Sequence, residues 1–125
     1  MSAPDVHFLT NMRDQIKLYH WQTESYSRHK ATDNFLGKID GLIDSYVEVY
    51  IGKYGRPRMT ASTNTFKLLN LSDAAAERFV KICIDHVIRK LVPQSGRKAA
   101  DTDLLNIRDE ILGELNQLLY LFSLA

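Results

Sequence analysis

The hydrophobic positions of the chain fall into four runs with helical spacing. Between Ser27 and Tyr54 there is no proline, and Phe35, Leu36, Ile39, Leu42, Ile43, Tyr46, Val47 and Tyr50 recur at the steps of an amphipathic helix. Ser27 reads as its N-cap, and Gly55 with Pro57 as its stop. A shorter stripe, Phe8, Leu9, Met12, Ile16 and Tyr19, predicts an earlier helix from Asp5 to about Thr23, opened by Pro4 or Asp5. Ser72 ahead of Asp73 and Glu77 predicts a third helix running to about Val92, before Pro93. Its apolar arc is wide, from Ala75, Phe79, Ile82 and Cys83 round to Val80, Ile84, Val87 and Leu91, so it is expected to be covered on two sides. Cys83 and His86 lie within that arc and read as core. After a loop containing Gly96, Asp101 or Thr102 caps a fourth helix. Its stripe is Leu104, Ile107, Ile111, Leu115, Leu118, Leu119 and Phe122, with Glu110 and Glu114 outside it. Residues 55 to 71 remain as a crossover with one helical turn, long enough to join two parallel neighbours.

The second helix carries a further pattern. At about 100° per residue, with Asp33 at zero, its apolar positions lie between about 180° and 320°, whereas His29, Asp40, Asp44 and Glu48 lie at about 320°, 340°, 20° and 60°. The acids therefore form a stripe roughly opposite the centre of the apolar face, directed at water or at another subunit. The bland reading is a solvated face. Against it, no Lys or Arg follows the acids at the i+4 spacing that would compensate them. Gly37 and Gly41 fall on the same side, where helix propensity favours other residues and where another backbone could approach. If two copies cross antiparallel near Asp40, Asp33 of one meets Asp44 and Glu48 of the other, giving two equivalent sites. Within one chain Asp33 and Glu48 stand about 22 Å apart along the axis. The stretch from His20 to Glu48 thus collects imidazoles and carboxylates, and reads as a metal site. Trp21 falls away from the first helix's stripe, which suits a subunit contact beside that site. His20 lies on the stripe's flank, and His7 is assigned no role.

Composition narrows the setting. The 125 residues suffice for one core and one domain. Sixteen basic residues balance fifteen acidic ones for a net charge of +1, and no Lys/Arg run exceeds two, so there is no electrostatic footprint for nucleic acid. The single cysteine rules out an internal disulfide and suits a reducing compartment. No segment has the character of a signal or a membrane span, and a cytoplasmic, soluble protein is expected.

Four helices with a long middle crossover suggest an all-α, ferritin-like four-helix bundle. The inward Glu-x-x-His motif of bundles with a di-iron site inside one subunit is absent from the sequence. Present instead are His20-Trp21, His29-x-x-x-Asp33 and Asp44-x-x-x-Glu48. That combination resembles the Dps family, the miniferritins, and the tail from Ala99 to Leu124 is similar to that family's last helix. The resemblance implies that His20, His29 and Asp33 of one subunit and Asp44 and Glu48 of its dimer partner are iron ligands, with Trp21 close by as an electron donor. It implies Fe(II) oxidation by hydrogen peroxide or oxygen, and ferric iron storage in a twelve-subunit homo-oligomeric shell. Zinc could occupy the same donors. The sequence departs from that family in a connection between His20 and His29 about one helical turn shorter, without its usual glycine. The N-terminal arm also lacks the lysines with which some members bind DNA. Two alternatives stand beside this reading: a metal buffer without redox turnover, and a metal-free interaction module.

Overall fold

The computed structural model describes residues 3–91 and 101–124. Among these the chain is all helical: α1 (Ala3–Gln22), α2 (Tyr26–Tyr54), α3 (Asp73–Arg89) and α4 (Thr102–Phe122). α3 ends at Arg89 with its cap at Lys90, short of the expected end near Val92, and the loop with Gly96 lies outside the described residues.

Cross-helix pairs give the directions. His20 meets His29 and Arg13 meets Asp40, so α1 and α2 are antiparallel. Phe8 stacks on His86 while Tyr19 bonds Asp73, so α3 is antiparallel to α1 and parallel to α2. Lys38 faces Glu114 and Lys53 faces Asp103, which sets α4 antiparallel to α2. The core is drawn from the predicted stripes: Leu9, Met12 and Ile16 of α1, Phe35, Ile39 and Tyr46 of α2, Val80, Cys83 and Val87 of α3, and Ile111, Leu115 and Leu118 of α4. Burial pushes the Cys83 thiol up to about 12, so it behaves as a small hydrophobe. His86 is half-buried against Phe8, with ring centroids 3.7 Å apart, and that burial lowers its pKa.

Three details differ from expectation. Ser25, not Ser27, caps α2: its hydroxyl accepts from the Arg28 N–H, while Ser27 already lies in the first turn. Asp101 holds the N-cap position of α4 but makes no side-chain cap, because its buried carboxylate accepts from the Tyr54 hydroxyl. The crossover contains a turn at residues 60–63 but no helical turn, since α1 side chains take up its backbone groups. His7 Nε2 donates to Thr65 O (2.7 Å). Buried Gln15 donates to Leu69 O (2.7 Å) and accepts from Leu69 N–H (2.8 Å), and Gln22 bonds Asn70. Gly55 begins the crossover at φ 94°, a left-handed conformation that a side chain would strain, and its N–H closes α2 onto Ile51 O. No described helix is long and apolar enough to cross a membrane.

Candidate metal centre

The short connection between α1 and α2 brings His20 and His29 face to face. Their ring centroids are 4.0 Å apart and the planes differ by 19°. His20 Nδ1 donates to the backbone carbonyl of His29 at 3.0 Å, and His29 Nδ1 donates to the carbonyl of His20 at 3.0 Å. A carbonyl only accepts, so each Nδ1 carries a proton, and in the neutral ring the lone pair is on Nε2. His20 Nδ1–H is shared with the Thr32 hydroxyl at 2.8 Å, whose own proton is directed to Arg28 O and His29 O. Thr32 is fully buried and His20 nearly so. Burial first, and the neighbouring His29 second, lower the His20 pKa and favour the neutral, coordinating imidazole. An Nδ1–H held by a backbone carbonyl is the outer-shell arrangement that orients a metal-binding histidine.

Asp33 lies one turn beyond His29 on α2, exposed, and its charge acts on His20 in the opposite sense to burial. Asp44 and Glu48 are exposed on the same helix, about 16 Å and 22 Å further along its axis. The chain thus brings His20 and His29 together, with Asp33 one turn further along α2, and leaves Asp44 and Glu48 apart. Among the described residues no group of three or more His, Cys, Asp or Glu side chains is close enough to hold a metal by itself.

The acidic row is less bare than its spacing implies. Arg13 of α1 donates to both Asp40 oxygens, at 2.9 and 3.4 Å, a pairing from another helix that a search along α2 misses. Gly37 and Gly41 are exposed, and a Cβ at either would meet nothing within 4 Å, so packing within this chain does not require glycine there. Trp21 is 66% exposed, with the Lys17 ammonium 5.0 Å from its ring centroid. The reciprocal histidine bonds themselves went unforeseen. The signal for them was the spacing of nine across a three-residue connection, which sets two antiparallel helix ends side by side.

A T4 bacteriophage protein, the uncharacterized 14.6 kDa protein of the mobD-ri intergenic region, is 39% identical over 49 residues, spanning 39% of this chain and 38% of its own length. No solved structure matches the chain. A family profile matches residues 20–122, a span that takes in His20, His29, Asp33, Asp44 and Glu48. With most of its length matched, the chain belongs to the DUF5856 family, a family of unknown function.

Proposed function

We propose that this protein is a ferritin-like bundle of the Dps kind that oxidises Fe(II) at sites shared between two copies and stores the ferric product in a homo-oligomeric shell of twelve. The reciprocal His20–His29 pair carries this reading, because it holds two imidazoles by their Nδ1–H groups and leaves the Nε2 atoms as the donors a metal would use. The connectivity supports it as well: parallel α2 and α3 joined by a long crossover is the ferritin-like arrangement.

Mixed imidazole and carboxylate donors fit Fe(II). His20, His29 and Asp33 would bind the substrate ion from one side, with Asp44 and Glu48 of the partner subunit closing the other. Two Fe(II) ions give two electrons, which with two protons convert one hydrogen peroxide to two waters; dioxygen is the other candidate oxidant. Few ligands per ion leave positions open for that oxidant. Trp21, exposed near the end of α1 and next to His20 in sequence, would supply an electron when only one ion is bound. Zinc is the expected competitor for the same donors, and two nitrogen ligands would also suit a buffer without turnover. The balanced charge offers no electrostatic footprint for a DNA partner, and the role proposed is cytoplasmic iron detoxification.

Anaerobic Fe(II) loading followed by peroxide, read at the ferric absorbance and by size exclusion with iron detection, tests the proposal. Accelerated oxidation with iron eluting in a large assembly is expected. Zinc or iron uptake without accelerated oxidation would leave the buffer, and no uptake would leave an interaction module.

A further inference from the structure

Next to the two histidines in sequence stands a second cross-turn pair. Tyr19 precedes His20 and Arg28 precedes His29, and these two side chains also meet across the turn. Arg28 Nη1 donates to the Tyr19 hydroxyl oxygen at 3.2 Å, and the Tyr19 O–H donates to Asp73 Oδ1 at 2.6 Å. The Thr23 hydroxyl donates to the same carboxylate oxygen at 3.0 Å, and Arg28 Nη1 reaches the Asp73 backbone carbonyl at 2.7 Å. The Arg28 guanidinium also covers the Phe122 ring, 4.4 Å from its centroid. Tyr19 is 2% exposed, so its ring is fixed by the core while its hydroxyl is fixed by charge. The carboxylate of Asp73, the first residue of α3, therefore ties the end of α1 to the connection, Arg28 joins the start of α2 to them through the Tyr19 hydroxyl and the Asp73 carbonyl, and Phe122 adds the end of α4.

We infer that Asp73, acting through Tyr19 and Arg28, is a positioning residue for the His20–His29 pair. The inference rests on the metal-site reading for its purpose, but its geometry is separate. The two carbonyl bonds that set the Nδ1–H tautomers form only if the ends of α1 and α2 keep their present offset, and the clasp across the same turn pins that offset. Neither Tyr19 nor Asp73 would touch the metal. The crossover's exit is part of the same device, since Asp73 follows directly on the segment that Gln15 and Gln22 hold to α1.

The test uses the full chain with Tyr19→Phe, Asp73→Asn and Asp73→Glu. Titration with Zn(II) alone gives affinity, and nitrogen-15 NMR of the imidazoles gives the tautomers. Tyr19→Phe and Asp73→Asn should weaken Zn(II) binding by about 10- to 100-fold and raise an Nε2–H population for both histidines, with helix content unchanged. Asp73→Glu, which keeps the carboxylate, should recover much of both. Wild-type affinity and tautomers in Tyr19→Phe and Asp73→Asn would overturn the inference. If the wild type takes up no Zn(II), the shared-site reading fails, and the tautomers still decide: a shift upholds the clasp as a positioning device, and none overturns it.

Discussion

His20 and His29 each donate Nδ1–H to the other's backbone carbonyl at 3.0 Å, so in two neighbouring neutral imidazoles Nε2 is the free donor atom. The two are not equal structurally. Removing the His20 ring leaves the fully buried Thr32 hydroxyl without its donor and opens space, whereas His29 is only half-buried. His20→Ala should therefore cost about 1–3 kcal/mol of folding stability and His29→Ala less, while both variants lose Zn(II) binding. Urea unfolding beside Zn(II) titration measures both effects.

Tyr46 is a core residue whose hydroxyl is buried without a hydrogen-bond partner. The space beside it, lined by Leu9, Val47, Tyr50 and Pro57 among others, has no room for a water. Burial with no compensating bond pushes its pKa well up. Tyr46→Phe should stabilise the protein by about 1 kcal/mol, because it removes an unsatisfied polar group and keeps the ring. Thermal unfolding reads this directly, and a lowered midpoint would show that the hydroxyl has a partner.

Asp5 borders the same space, and burial raises its pKa from 3.8 to about 6. The folded state then binds more protons than the unfolded chain between those values, so the Asp5 contribution is favourable in acid and is lost as pH rises through about 6. Asp5→Asn should therefore stabilise the protein at pH 7.5, by about 1 kcal/mol after allowance for its partial solvent screening, and change little near pH 4. Unfolding free energies of both proteins across pH 4 to 8 give the comparison. A gain as large at pH 4 as at pH 7.5 would contradict the assignment.

The helices and their core stripes are legible in the sequence because helical burial repeats along the chain: Leu9, Met12 and Ile16, or Ile111, Leu115 and Leu118, announce themselves by spacing alone. What joins the helices is not legible in that way. Gln15 sits inside an apolar stripe and must find a partner, yet nothing local identifies the backbone of Leu69, 54 residues away. The same holds for Arg13 with Asp40 and for Tyr19 with Asp73. In the candidate site, the residue types and the exposure of Asp33, Asp44 and Glu48 followed from angles on one helix. The tautomers of His20 and His29 did not, because they depend on how two helix ends are offset.

Mixing variants tests most directly whether Asp44 and Glu48 complete a site begun by His20 and His29 of another copy. Chains with His20→Ala and His29→Ala, and chains with Asp44→Ala and Glu48→Ala, should each keep their helix content and each lack accelerated Fe(II) oxidation. Co-assembled in equal amounts as two-fold dimers, half of the pairs are mixed and each mixed pair holds one intact site, so roughly a quarter of wild-type oxidation should return. No recovery in assemblies shown to contain both chains, or full activity in either variant alone, would contradict a site shared between subunits.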